Sequence, residues 1–205
     1  MVTGGSRGIG AAVVAELTLR GYDCHDLSRS AGFDAGDETS VERFFSALDR
    51  LDALVNNAAL LETAPLVEMT VETWDEVIRT SLRSAFLCSR AAFQLMRPGG
   101  AIVNVSSLSG VAGAEKFPGM AAYVAAKSGL AGLTEVMAVE GRPLGIRVNA
   151  VSPASVDTEM GRKAGIAQEP LTPEEVAGVI SWLARPESAP LTGANIRIDP
   201  PARPS

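Results

Sequence analysis

Along the chain, short apolar runs alternate with longer stretches whose apolar residues recur every three or four positions. That is the signature of a parallel sheet covered by helices on both faces. Cys24 to Leu27, Leu51 to Asn56, Ala101 to Ser106, Arg147 to Val151 and Ala194 to Ile198 read as strands. Helices are predicted over about Gly8 to Arg20, stopped at Gly21, over Val71 to Met96, stopped at Pro98-Gly99-Gly100, and over Ala121 to Glu140. Thr39-Ser-Val-Glu42 reads as a capping box opening a helix through Phe44 and Leu48. Thr172-Pro-Glu-Glu175 reads as a second, with proline at the first helical position. Pro153 is expected to break its strand, and the proline-rich tail from Asp199 to Ser205 cannot continue a ladder, because proline lacks the donor.

Two stretches are shorter than this architecture normally needs. Only residues 30–33 separate Arg29 from Asp34, whereas a crossover between parallel strands takes at least about 10 to 12 residues. A helix is therefore missing between strands 2 and 3, and the strand after it is expected to be rudimentary. The first strand is clipped, with only Met1 and Val2 ahead of the turn at Thr3, against a usual length of about 5 to 6 residues.

At 205 residues the chain suits one domain, 1–205, with a single buried core. A net charge of −6 argues against a nucleic-acid partner, which calls for a basic face. Cys24 and Cys88 lack CxxC spacing and His25 stands alone, so neither a metal site nor a histidine-based nucleophile is expected. No apolar run approaches the roughly 20 residues of a membrane span, and no targeting segment is evident, so the expected location is cytoplasmic.

Thr3-Gly4-Gly5-Ser6-Arg7-Gly8-Ile9-Gly10 sets three glycines, 4, 8 and 10, between a strand and a helix. Glycine allows the tight turn and lets backbone N–H groups approach a pyrophosphate at the positive helix end. Tyr123 and Lys127 stand four apart on one helix face. A nearby positive charge stabilises phenolate, so Tyr123 is expected to titrate closer to working pH and to act as acid or base. A tyrosine and a lysine at this spacing are also ordinary surface neighbours, and the pair counts through the company it keeps.

Taken in order, these residues resemble the short-chain dehydrogenase/reductase family from Val2 to Asp199. The glycine turn is similar to the family's cofactor turn, Asn56-Asn57-Ala58-Ala59 to its NNAG strand end, and Asn104-Val-Ser-Ser107 to the segment bearing the catalytic serine. Tyr123 with Lys127 resembles the catalytic pair, and Arg147-Val-Asn-Ala-Val-Ser-Pro153 the strand leading to the nicotinamide. The resemblance implies a Rossmann-type doubly wound sheet and an oxidoreductase moving a hydride between NADP(H) and an alcohol or carbonyl carbon. By the same resemblance Tyr123 exchanges the proton on the substrate oxygen, Lys127 lowers the tyrosine pKa and binds the nicotinamide ribose, and Ser107 hydrogen-bonds the reacting oxygen. Ser106 and Ser109 are alternatives for the serine. Gly4, Ser6, Arg7, Gly8, Ile9 and Gly10 form the turn. Ser28, Arg29, Asp34, Asn57 and Ala58 fall on the adenosine side, and Pro153, Val156 and Thr158 beside the nicotinamide. A homodimer or homotetramer is implied, with Trp74, Phe86, Phe93, Met96 and Met137 to Val139 read as core or subunit contact.

Charge decides the cofactor expectation. NAD readers hold the ribose hydroxyls with an acidic residue at the end of the second strand. Ser28 stands there, followed by Arg29, with Arg7 in the turn, and two guanidinium groups suit a 2′-phosphate. Asp26, two residues earlier on the same strand face, keeps NAD as an alternative.

The chain departs from the family pattern in places. Ser81 stands where the family has an asparagine that holds a water for the lysine relay, and a hydroxyl offers a shorter reach than an amide. Glu115-Lys-Phe117 reads as an insertion between Ser107 and Tyr123. Ala59 and Ala154 replace glycines, Asp199-Pro200-Pro201 replaces an Asp-Gly-Gly ending, and only residues 159–171 are left for a substrate lid. The missing asparagine, the clipped first strand and the short lid motivate a rival reading, a family member that binds the nucleotide, or a partner, without useful catalysis.

Overall fold

The computed structural model describes residues 1–165 and 169–200. Six strands form one parallel sheet: β1 (Val2–Thr3), β2 (Asp26–Leu27), β3 (Leu51–Asn56), β4 (Met96–Val105), β5 (Arg147–Pro153) and β6 (Asn195–Ile198), in the order β2-β1-β3-β4-β5-β6. Each crossover carries helix: α1 (Gly8–Leu19), α2 (Glu38–Phe45), α3 (Val71–Ile78) continuing through a π-helical turn (Arg79–Arg83) into α4 (Ser84–Leu95), α5 (Ala121–Gly141), α6 (Glu159–Ala164) and α7 (Pro173–Leu183).

Side chains alternate across the strands, so the sheet has a core on each face. Leu54, Ile102 and Val148 pack with Val41, Phe45, Leu87, Met137 and Ile146 on the face of α2, α4 and α5. Val55, Val103 and Val151 pack with Val13, Leu17, Val176, Ile180 and Leu183 on the face of α1 and α7. Among the described residues, no helix is long and apolar enough to cross a membrane.

The strand that was expected at its shortest is held from both sides. β1 has two residues, yet it pairs with β2 through Val2–Asp26 and with β3 through Val2–Val55. Between β2 and α2 one 3₁₀ turn, Arg29–Ala31, takes the place of the missing helix, no strand lies between that turn and α2, and α2 alone makes the crossover to β3.

Several boundaries differ from the sequence reading. β2 is confined to Asp26–Leu27, since the two-residue β1 beside it offers ladder partners for nothing more. The cap of α2 is Asp37, whose carboxylate accepts from Ser40 N, so Thr39 lies within the helix and the expected capping box there does not form. The long helix carries a π-helical turn around Ser81, and Met96, expected as its last residue, begins β4. There the ladder slips between Leu51–Met96 and Ala53–Ala101, and Gly99 takes a positive φ of 97°. Pro153 ends β5 as a strand residue, paired with Ile198, where no donor is required of it. The capping box of Thr172 and Glu175 forms as expected. β6 stops at Ile198, and residues 201–205 of the tail lie outside the described residues.

Candidate active site

The site begins at the turn between β1 and α1. Gly4 and Gly8 have φ of 64° and 54°, the left-handed region that favours glycine. Gly10 has a different reason: a Cβ there would stand 2.1 Å from the Gly4 carbonyl oxygen. The turn is braced from β3. Asn57 Nδ2 donates to the carbonyls of Thr3 and Gly4, both at 3.0 Å, and Thr3 Oγ1 accepts from Asn57 N at 2.9 Å and Ala58 N at 3.0 Å. α1 therefore starts on a rigid loop. Its N-cap, Arg7, provides no side-chain acceptor, and no acidic residue stands in its first turn, so the positive helix end faces outward uncompensated.

The opposite wall is built by β4, β5 and α5. Asn56 Nδ2 donates to Ser89 Oγ (2.9 Å) and Asn104 Oδ1 (2.8 Å), and Asn104 Nδ2 donates to Thr134 Oγ1 (2.8 Å) on α5. This buried chain ties α5 to the sheet. Nearer the cleft, Ser106 Oγ donates to the Lys127 carbonyl at 3.0 Å, and a Cβ on Gly110 would come within 2.6 Å of the Lys127 backbone. Ser106 is thus occupied in docking the segment onto α5. Ser107 is left facing Tyr123, with Ser109 N donating to its Oγ at 3.2 Å.

Burial governs both ionisable groups here. Lys127 is 2% exposed, donates to the Val105 carbonyl at 2.6 Å, and lies 5.6 Å from the centre of the Tyr123 ring. Its surroundings lower its pKa to about 8 by desolvation. Burial pushes the Tyr123 phenol above its ordinary value, against an opposing hydrogen-bond effect of Ser107. The expected depression of Tyr123 by Lys127 does not appear, because burial dominates at both groups and moves each toward its neutral form. Ser81, on the π-helical turn, has its hydroxyl engaged with the backbone of Leu60. Its hydroxyl accepts from Leu60 N at 3.0 Å and donates to Leu60 O at 3.3 Å, which fixes the strand exit after β3.

On the adenosine side, both arginines hold carboxylates. Arg7 pairs with Glu159 at 2.6 Å, and Arg29 with Glu76 at 2.8 Å. Arg79 joins Glu76 (2.7 Å) to Asp34 (2.9 Å), so four charged groups tie the shortened connection to α3. Glu76 is held down to about 2 by the hydrogen bonds of Arg79 and Arg29. Ser28 donates to Asp26 Oδ2 at 2.9 Å, while Asp26 Oδ1 is buried without a hydrogen-bond partner. Ser6 is exposed in the glycine turn.

A cleft of about 480 Å³ joins the two walls, reaching from Ile9 to Ser107, Ser109, Tyr123, Pro153, Val156 and Thr158. Thr158 caps α6 by accepting from Gly161 N at 3.0 Å, and the Val156–Leu171 bridge pins that segment, so the short lid is anchored at its base. Sequence reasoning missed Leu61, Met120, Met160 and Arg197 on the cleft wall. It named Glu115 and Phe117 only as an insertion; both line the cleft. The Asn56–Asn104–Thr134 chain was also missed, although polar residues inside apolar strand runs were its signal.

Comparison with known proteins gives the context. The family described as Enoyl-(Acyl carrier protein) reductase matches residues 24–200. A trans-4-hydroxycyclohexanecarboxylate dehydrogenase of Sinomonas cyclohexanicum is 39% identical over 94% of this chain and 72% of its own length. A 3-oxoacyl-[acyl-carrier-protein] reductase of Synechocystis is 34% identical over 97% of this chain and 94% of its own. Among solved structures, a short chain dehydrogenase from Burkholderia cenocepacia in complex with NADP superposes with a TM-score of 0.84 at 29% identity, covering 97% of this chain and 94% of that one. With six parallel strands in this order, the glycine turn on the first and the Ser107, Tyr123 and Lys127 wall opposite it, the chain belongs to the short-chain dehydrogenase/reductase family of oxidoreductases.

Proposed function

We propose that the protein is an NADP(H)-dependent oxidoreductase that interconverts an alcohol and a carbonyl, with Tyr123 as the acid and base. The observation that carries this reading is the shared cleft: Ile9 of the glycine turn, Ser107, Tyr123 and Thr158 all border it. The residues present fit a dinucleotide, since the turn keeps the start of α1 free of any side-chain cap and excludes a Cβ at Gly10.

A bound nicotinamide would supply hydride transfer, one proton carried with two electrons, to the substrate carbon in reduction or from it in oxidation. Tyr123 gives the balancing proton to the carbonyl oxygen in reduction and takes it back in oxidation. A phenol kept neutral by burial is in the donor form at neutral pH, which suits reduction. Ser107 hydrogen-bonds the oxygen on which charge develops. Lys127, titrating near 8, remains mostly protonated at pH 7 and resupplies Tyr123 with protons. Ser81 acts by positioning, through Leu60.

Arg7 and Arg29 support the 2′-phosphate form. Their pairs with Glu159 and Glu76 are largely exposed, and such pairs are worth about 0–1 kcal/mol, so exchange for a phosphate dianion is cheap. The NADP complex of the Burkholderia relative points the same way. Asp26, with one buried carboxylate oxygen free beside Gly5, favours a second reading in which NAD ribose hydroxyls are accepted there. Phe86, Val136 and Val139 leave apolar surface on α4 and α5, which supports a homodimer or homotetramer. The substrates named for the relatives, a trans-4-hydroxycyclohexanecarboxylate and a 3-oxoacyl-[acyl-carrier-protein], direct a first screen to cyclic ketones and short 3-oxoacyl compounds.

Replacing Tyr123 by phenylalanine tests the assignment. Turnover is expected to fall by about 10²- to 10⁴-fold with nucleotide affinity unchanged. Turnover retained in that variant would remove Tyr123 from the reaction.

A further inference from the structure

The cleft bordered by Tyr123 has an uneven distribution of charge. Its wall is mostly small, hydroxyl-bearing or apolar, and among the described residues that line it only Glu115 and Arg197 carry a formal charge at neutral pH. The place of Arg197 follows from the sheet. It is the next-to-last residue of β6, paired with Ser152, one step before the Pro153–Ile198 pair. Ile196 and Ile198 turn into the core beneath α1 and α7, so alternation turns Arg197 to the other face, the one that α5 and Tyr123 occupy.

Among the described residues, the arginines nearest the cleft mouth, Arg7 and Arg162, are committed. Arg7 holds Glu159 at 2.6 Å, and Arg162 is hydrogen-bonded to Asp157. Arg197 has a loose neighbour, Asp199, at 3.8 Å with both side chains more than half exposed. That distance is too long for a hydrogen bond, so the planar fork of donors remains open to a ligand. Glu115 stands on the inserted segment, exposed, and adds a negative charge to the same cleft.

We propose that Arg197 is a specificity-determining residue and that the substrate is a compact alcohol or ketone carrying a carboxylate away from the reacting carbon. The guanidinium takes the carboxylate while the apolar wall takes the ring or short chain between the two ends. One carboxylate matches one guanidinium, and Glu115 disfavours a second anionic group. This proposal rests on the reading of the Tyr123 wall as the reaction centre.

The test compares reduction of 4-oxocyclohexanecarboxylate and of its methyl ester by the full chain with NADPH. Alongside it, calorimetry follows binding of cyclohexanecarboxylate, which cannot react. A preference for the acid of about two- to fivefold in kcat/KM is expected, expressed in KM, as for a half-exposed charge pair. Arg197→Met is expected to bring the acid-to-ester ratio close to one and to weaken cyclohexanecarboxylate about two- to fivefold. Arg197→Lys should keep part of both effects, and Glu115→Gln should tighten the carboxylate. Equal kinetics for acid and ester in the unaltered chain, or undiminished carboxylate binding by Arg197→Met, overturns the proposal and leaves the oxidoreductase reading standing. Carboxylate binding through Arg197 in a chain that binds no nicotinamide nucleotide would uphold the anion site and sink the reaction assigned to it.

Discussion

The two walls of the cleft are held by different forces. The Tyr123 wall is fixed by buried hydrogen bonds, through Asn56, Asn104 and Thr134, and by a lysine 2% exposed under the phenol. On the adenosine side, the shortened connection that follows the two-residue strand β2 is tied to α3 by the Arg29–Glu76–Arg79–Asp34 ion pairs, whose side chains are 29% to 59% exposed. Buried hydrogen bonds are little affected by salt, whereas exposed pairs are screened within about 8–10 Å. The part that places reacting groups is therefore insulated from the medium. The part that selects the nucleotide is responsive to it.

The largest expected contrast lies in pH. Lys127 titrates near 8 in the folded protein against the ordinary 10.5, so between those values the unfolded chain binds more protons and stability rises with pH. Cys88, pushed up to about 12 by burial, slopes the other way above pH 9 and cancels when two variants are compared. The stability difference between the unaltered chain and Lys127→Met should change by about 3 kcal/mol across this window, read by urea titration at pH 8 and 10.5. A flat difference would mean that the ammonium is not desolvated.

A smaller break is Thr134→Val, which removes the partner of Asn104 Nδ2 and leaves it buried and unpaired. A loss of about 1–3 kcal/mol is expected, insensitive to salt. On the other side, Arg79→Met should cost about 1 kcal/mol or less, and that cost should shrink in 0.5 M salt. Equal salt sensitivity of the two variants would abolish the distinction between the walls.

How far the sequence reaches divides along related lines. The glycine turn, β3 and the Thr172 cap depend on residues a few positions apart, and these features are found where the pattern predicts them. The cap of α2 was assigned to the wrong residue because Asp37 competes with Thr39 within one turn, and only the backbone decides. Arg7 and Glu159 lie 152 residues apart, and Arg29 and Glu76 lie 47 apart, so no local pattern reveals that these arginines are already paired. Arg197 was invisible for the same reason: its presence on the cleft depends on the β5–β6 register. The pKa of Tyr123 was judged from its lysine neighbour, and the depth of both groups, a property of the whole fold, reversed the sign.

The most direct measurement is fluorescence titration of the purified chain with NADPH and with NADH at one moderate salt concentration. The account predicts that both bind in the cleft and that NADPH binds more tightly, with its advantage reduced in Arg29→Met. Failure of both nucleotides to bind would contradict the oxidoreductase assignment, and a preference for NADH would transfer the selection from Arg29 to Asp26.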